Sequence, residues 1–252
     1  MVNRRRFLQR ATLGVLGGFL AGCNRLSNSD TFVDILSSAE GLTRRVQQFL
    51  SPSTTLAREF TVADISPVFK PNGTTMPGGP VYKALLDNQF RDYRLKVDGM
   101  VANPTSLSLA ELRALGERTQ ITRHDCVEGW SAIGQWQGTP LVALLALVRP
   151  LAGARFVVFH CFDVWDDDVY YYESIDLVEA VHPQTILAHS LNGETLPVAN
   201  GAPLRLRVER QLGYKQAKYI ERIELVASLD DIGEGKGGYW EDDQGYEWYG
   251  GI

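Results

Sequence analysis

The segment Arg123-His124-Asp125-Cys126-Val127-Glu128-Gly129-Trp130-Ser131 gathers the side chains best able to do chemistry. Cys126 stands between a predicted strand and a glycine-bearing turn, among charged and polar neighbours. Three roles are open to it. A free cysteine is often a buried, inert side chain. It can pair with Cys161 in an oxidising compartment. Or its thiolate can serve as nucleophile or soft-metal ligand. His124, Tyr170, Tyr171, Tyr172 and Glu173 are further candidates, because a tyrosine hydroxyl can donate to a substrate oxygen; the same aromatics are also ordinary strand residues. His160, His182 and His189 show no metal-ligand spacing, and neither a paired-cysteine nor a zinc-protease motif occurs. Downstream, Arg205 and Arg207 alternate on a predicted strand and Lys215 and Lys218 follow. All four are compatible with a solvated face, and Asn200-Gly201 with an ordinary turn.

These residues need elements to hold them. Apolar residues at helical spacing (Phe32, Ile35, Leu36, Leu42, Val46, Phe49, Leu50) predict a helix over 32–50. Residues 67–80 hold four prolines and three glycines, a loop too long to be a mere connection. Alternation predicts a strand over 94–101, with Asp98-Gly99 as a turn signal. Ser108 and Glu111 form a capping box that opens a helix to about Leu115. A strand over 120–125 ends just before Cys126. Thr139-Pro140 is placed to cap an apolar helix over 141–148. Strands are predicted over 155–161, 204–209 and 219–226, and a hairpin over 185–198 around Asn192-Gly193. Strands outnumber helices without βαβα alternation, so the class is α+β, mixed sheets with short helices.

Composition is that of a globular chain: 252 residues, 44% hydrophobic, 22% charged, net charge −5. That excludes collagen, coiled coil and wholesale disorder, and no basic face suggests nucleic acid. The charge is uneven. Residues 1–22 contain Arg4, Arg5, Arg6 and Arg10 and no acid, and the remainder carries 21 basic and 30 acidic residues. Asn3-Arg4-Arg5-Arg6-Phe7-Leu8-Gln9 resembles a twin-arginine export signal, and residues 11–22 form a short apolar stretch below bilayer-spanning length. Leu20-Ala21-Gly22-Cys23 resembles a lipobox whose cysteine is lipidated. The expected organisation is a signal over 1–22, a linker and helix over 23–57, and a domain over 58–252 on the periplasmic side of the inner membrane, anchored only by lipid at Cys23. The twin-arginine translocase carries folded proteins, which suits a cofactor inserted before export. Residues 228–252 hold seven acids, one lysine and five aromatics. A disordered tail lacks aromatics, so this one is expected to pack back on the domain, either as a structural clasp with incidental charge or with its acids offered to a basic redox partner.

Cys126-Val127-Glu128-Gly129-Trp130-Ser131, Trp136 and Gly138-Thr139-Pro140-Leu141 resemble the molybdenum-cysteine segment of the sulfite oxidase family. The resemblance is closest to its bacterial periplasmic branch, which includes methionine sulfoxide reductase catalytic subunits. His182-Pro183-Gln184-Thr185, Asn200-Gly201-Ala202-Pro203-Leu204-Arg205 and Gly213-Tyr214-Lys215 match in the same order, and the resemblance covers residues 58–227. It implies the family's molybdopterin-binding catalytic fold, a Mo-molybdopterin cofactor and oxygen-atom transfer to or from a small oxo-donor or oxo-acceptor. Electrons would be exchanged with a separate haem or quinone-linked partner. Soft sulfur ligands suit molybdenum, so one protein thiolate, Cys126, suffices beside the cofactor's own dithiolene pair. By resemblance Asn200, Arg205, Gln216, Ala217 and Lys218 hold pterin and phosphate, with Ser66, Phe69, Lys70 and Asn72 covering the other side. Cys161 falls where the branch has a threonine near the pterin. Cys126, Tyr171 and His124 are the expected catalytic residues. Asp125 stands where the branch has an arginine, which puts a reductase substrate in question; the family's sulfite site uses several arginines for a dianion. The alternative is a lipid-anchored binding module that kept the fold and lost the metal. Because the twin-arginine route depends on its arginine pair, Arg4→Lys with Arg5→Lys should leave cofactor-loaded, unprocessed protein in the cytoplasm on cell fractionation. Normal export of the double variant would assign the general secretory route instead.

Overall fold

The computed structural model describes Val46, residues 55–165 and residues 169–252. The chain divides into a unit Met1–Pro52 and a unit Ser53–Ile252. Of the first, Val46 alone is described, exposed on a helical turn. The export signal, Cys23 and the rest of the helix predicted over 32–50 lie outside the described residues. No helix among the described residues is long and apolar enough to cross a membrane.

The second unit carries two sheets. Helix α1 (Pro80–Asp87) starts on a proline, whose missing N–H costs nothing at a first turn. Strands β1 (Leu95–Gly99) and β2 (Thr105–Leu107) form an antiparallel pair. Helix α2 (Leu109–Arg113) opens on the predicted capping box, with Ser108 and Glu111 bonding reciprocally. Strands β3 (Arg118–Asp125) and β4 (Ser131–Pro140) are a hairpin, and Cys126 lies in its turn. Helix α3 (Leu141–Val148) follows. Then come β5 (Phe156–Val164), β6 (Tyr170–Asp176) and the short α4 (Leu177–Ala180), capped by Asp176. Strands β7 (Ile186–Leu191) and β8 (Glu194–Thr195) form the predicted hairpin, and Asn192 and Gly193 take the positive φ angles that its turn requires. Strands β9 (Arg205–Arg207) and β10 (Ile220–Val226) precede a last helix, α5 (Tyr239–Gln244).

One sheet runs β2-β1-β10-β5-β6, with β1 and β10 parallel and the other neighbours antiparallel. The other runs β3-β4-β7-β8, with β9 also paired to β7. Leu141, Leu144, Leu145 and Val148 of α3 pack with Val97, Val157, Phe159, Ile223 and Leu225 of the first sheet in the main core. Each such side chain contributes about 1.5–3 kcal/mol on burial. A smaller cluster around Trp136, Ile186, Ala188 and Leu191 lies on the second sheet.

Three expectations change. Thr139 does not cap α3: its hydroxyl donates to Leu112 O at 3.1 Å, and Pro140 is the N-cap without a side-chain bond. Strand β5 runs on to Val164, past the predicted end at Cys161. Strand β4 was not foreseen because its inward positions are Ala132, Gly134, Trp136 and Gly138, two of them without side chains. Both glycines make room. A Cβ on Gly134 would meet the Phe69 ring at 2.9 Å, and one on Gly138 would meet Leu187 O of β7 at 2.3 Å.

Gly138 sits at the register shift between β4 and β7. Forcing a methyl group against that backbone should separate the strands, so Gly138→Ala should cost about 1–3 kcal/mol. Thermal unfolding should show a midpoint several degrees lower, and an unchanged midpoint would mean that β7 can yield.

Candidate active site

The Cys126 turn is short and closed on itself. Cys126 N donates to Trp130 O at 2.9 Å and Gly129 N to Cys126 O at 3.0 Å. Gly129 takes φ +85°, which only glycine adopts without strain. This turn presents Cys126 to a cavity of about 240 Å³ that Asn72, Asp163, Tyr171, Gln216 and Lys218 also line. Burial pushes the thiol up, while the Glu128 N–H and the Arg205 and Lys70 charges pull it down. The thiol is not in a disulfide, and neither is Cys161.

In the cavity wall and behind it the protein buries cations. Arg207 is fully satisfied, since Glu209 accepts from its Nε at 3.0 Å and from a terminal nitrogen at 2.5 Å. Arg205 and Lys218 are not. Arg205 donates only to Asn200 O and Asn72 Oδ1, both at 3.0 Å, and its Nε has no partner. Lys218 donates to the carbonyls of Asn72 at 2.6 Å, Ala199 at 3.0 Å and Thr74. Among the described residues neither has a carboxylate at ion-pair distance. Burial and the neighbouring Arg207 push Arg205 down to about 9; burial and Arg205 push Lys218 down to about 7. Gly201, at φ +115°, lets these two meet, since a Cβ there would lie 3.0 Å from Lys218 Cβ and 3.3 Å from Arg205 Cβ. The side-chain amide nitrogen of Asn200 and Oε1 of Gln216 are also buried without partners.

The Pro/Gly loop is tied to the same place. Tyr219 donates to Thr74 O at 2.9 Å and Gly73 N to Glu128 Oε1 at 3.3 Å. Ser66 accepts from Ile133 N at 2.9 Å, and Phe69 packs edge-on to Trp136 at 5.1 Å. Lys70 pairs with Glu128 at 3.6 Å. Of the predicted residues, Asn72, Cys126, Tyr171, Gln216 and Lys218 line the cavity, and Arg205 and Asn200 stand directly behind. Ser66, Phe69, Lys70 and Ala217 surround these without lining it.

Two expectations move further. His124 does not line the cavity: its ring packs against Phe69 and Trp130, and Nδ1 faces Arg207 at 3.0 Å. Burial, with Arg205 and Arg207 nearby, holds it well below the usual imidazole range. Its Nε2 has no partner and lies against Gly213 of the lining. Cys161 is 1% exposed in the main core and is not part of the lining. Tyr171 does line the cavity, but its hydroxyl donates to Tyr214 O at 2.7 Å and is not turned to substrate. Asp125 accepts from Ser131 Oγ at 2.5 Å and pairs with Arg123, so its charge stays on the hairpin and out of the lining.

Sequence reasoning missed Asp163, Trp165, Trp240 and Tyr246, all in the lining. Asp163 is 3% exposed; Oδ2 accepts from Trp165 Nε1 at 3.1 Å, and Oδ1 has no partner. Burial raises its carboxyl to about 6, against the Trp165 bond and the Lys218 charge. No periodicity marks such a residue, since it lies in the last residues of a strand otherwise read as core.

The donor set suits an anionic cofactor. The unanswered cations and the free nitrogens of Arg205 and Asn200 fit a phosphate, and a single thiolate fits a metal that brings its other ligands with it. Among the described residues no group of three or more His, Cys, Asp or Glu is placed to hold a metal alone. The model of the oxidoreductase molybdopterin binding domain family matches residues 82–231. A putative protein-methionine-sulfoxide reductase subunit of Azospira oryzae is 39% identical over 254 residues, which cover 98% of this chain and 87% of the relative. The sulfane dehydrogenase SoxCD from Paracoccus pantotrophus shares the fold, with TM-score 0.50 at 20% identity. That match covers 60% of this chain and 45% of the other, less than half of its length.

Between about pH 7 and 10.5 an unfolded Lys218 holds a proton that the folded one releases, so this group makes the cofactor-free protein more stable as pH rises through that window. Below it the full cost of the buried charge is present, and a bound dianion relieves it. Millimolar sulfate, at matched ionic strength, should therefore raise the melting temperature of cofactor-free protein more at pH 6 than at pH 9. Arg205→Ala should abolish that difference in thermal-shift measurements.

Proposed function

Because this chain belongs to the oxidoreductases with a molybdopterin-binding domain, of the sulfite oxidase type, we propose that it removes the oxygen atom from a neutral sulfoxide, with molybdenum held by the Cys126 thiolate. The observation that carries the reading is the pair of buried cations without an anionic partner, Arg205 behind the cavity that Cys126 lines and Lys218 in its lining. With Asn72, Asn200 and Gln216 they would hold the pterin and its phosphate.

When bound, the cofactor supplies a two-electron metal centre able to take an oxygen atom from substrate. The residues of the chain do the rest. Cys126 contributes the one protein sulfur; burial holds its thiol above the usual range, and the Glu128 N–H, Arg205 and Lys70 only partly offset that. The aromatic lining excludes water. Asp163, its carboxyl raised to about 6 by burial, stands beside the cavity with one oxygen unbonded. Reducing a sulfoxide consumes two electrons and two protons and releases water.

The lining also bears on substrate charge. Its one cation, Lys218, is engaged by three carbonyls, and Glu128 and Asp163 stand beside it. That favours a neutral sulfoxide over a sulfite dianion. The name of the Azospira relative supports a sulfoxide, and Asp125, turned away, no longer argues against one. That relative is named a subunit, which supports a separate haem or quinone-linked protein as the electron source. The arginine pair and Cys23 support export to the periplasmic side with a lipid anchor.

Protein made in cofactor-competent cells should carry about one molybdenum per chain, as a single thiolate site requires. Cys126→Ser should lose sulfoxide-dependent oxidation of a reduced dye, and metal analysis should show whether the metal leaves with it. Full turnover in that variant would remove Cys126 from the site.

A further inference from the structure

The family match ends at residue 231, yet the cavity is completed by residues beyond it. Trp240 on α5 and Tyr246 after it both line the space that Cys126 opens onto. They stack on each other at 24° with centroids 5.9 Å apart. Trp240 meets Trp165 edge-on at 4.9 Å, and Tyr246 meets Tyr214 at 5.2 Å. The C-terminal segment therefore joins its own rings to Trp165, just after β5, and to Tyr214, in the turn before β10, in one aromatic wall.

The wall is fixed in place by buried charge. Glu241, on the helix that carries Trp240, is fully buried and accepts from Lys215 Nζ at 2.7 Å. Lys215 also binds Glu173 of β6. Asp242 accepts from Tyr172 and from the backbone N–H groups of Glu234 and Lys236. Tyr214 donates to Glu247 O at 2.5 Å, and Leu212 N to Gly250 O at 2.8 Å. Of the two readings of this segment, clasp or acidic partner face, Glu241 and Asp242 serve the clasp: Glu241 faces inward and Asp242 ties the segment together. Tyr246 remains 37% exposed, as a residue at the mouth of a cavity would be.

We propose that Trp240 and Tyr246 are specificity-determining residues that bind the apolar arm of a sulfoxide substrate, and its sulfide product, against an aromatic wall that the C-terminal segment adds to the family's domain. The inference rests on the sulfoxide reading above. Three observations carry it. The two rings share a cavity with the candidate metal ligand. They come from outside the matched domain. And the anchoring contacts hold the segment without using either ring's polar atom. Aromatic faces and edges attract sulfur and methyl groups without requiring charge. A small sulfoxide has little apolar surface to lay on the wall; one with a ring or a long chain has much more.

The test compares Trp240→Ala, Tyr246→Ala and Trp240→Phe with wild-type holoenzyme, using dimethyl sulfoxide and methyl phenyl sulfoxide. Both alanine variants should keep their molybdenum and raise KM for the phenyl substrate about tenfold with kcat nearly unchanged. KM for dimethyl sulfoxide should move less than about twofold, and Trp240→Phe should recover most of the loss. Direct titration with methyl phenyl sulfide, which needs no turnover, should show the same weakening, while Trp248→Phe binds it as wild type does. Equal KM changes for both substrates would overturn the inference. So would loss of molybdenum from the alanine variants, which would make the wall a cofactor support. If wild-type holoenzyme reduces neither sulfoxide, the sulfoxide reading fails on its own account. The sulfide titration then still decides the wall: no binding, or equal binding by wild type and variants, overturns it.

Discussion

Two cations buried without a carboxylate are the constraint around which this protein is arranged. Taking a charge out of water costs several kcal/mol unless something answers it. Arg207, two residues from Arg205, shows the ordinary solution, a bidentate carboxylate from Glu209 on the same stretch of chain. Arg205 and Lys218 instead receive backbone carbonyls and one amide oxygen, which soften the cost without neutralising the charge. The two share a neighbourhood only because Gly201 brings no Cβ between them. An anionic cofactor completes that arrangement, so binding it is part of folding this region in the energetic sense.

The same bonds organise the Pro/Gly loop. Asn72 and Thr74 are held by Lys218, Tyr219 and Arg205, while Gly73 is held by Glu128 from the cysteine turn. The loop thus links the buried cations to the cysteine turn. On the open side a second buried charge cluster plays the matching role. Burial holds Glu173 well above the usual carboxylate range, Lys215 pulling it down and Glu241 pushing it further up. One lysine shared by two buried carboxylates is stable only if both stay in register, and that register fixes α5 and its aromatic neighbours at the cavity. One cluster is left open for a ligand and the other is closed by the protein's own tail.

Much of this was legible in the residues. The capping box at Ser108 and Glu111, the Asn192-Gly193 hairpin and the limits of α3 follow from local chemistry, which acts over three or four positions and leaves a mark in the sequence. The cysteine turn and the Asn200–Arg205 stretch could be placed together only through resemblance to a family, because nothing local tells a phosphate-binding arginine from a solvated one. Strand β4 escaped because two of its inward positions are glycines, chosen for what lies opposite them. His124 and Cys161 were placed nearer the chemistry than they are: adjacency along a strand does not say which face a side chain takes once neighbouring elements fill the space.

By itself, then, the sequence determined the α+β class and most of the strands, since each depends on residue type and short spacing, while the cofactor followed from resemblance to a family. Only the tertiary structure decided which of four basic residues lack a counter-ion, that Asp163 reaches the cavity with an unbonded oxygen, and that Glu241 turns inward. It also decided that Trp240 and Tyr246, more than a hundred residues from Cys126 along the chain, close the same space. Those outcomes rest on contacts between distant segments, whose energies come from burial and charge compensation, and neither has a period or a motif along the chain.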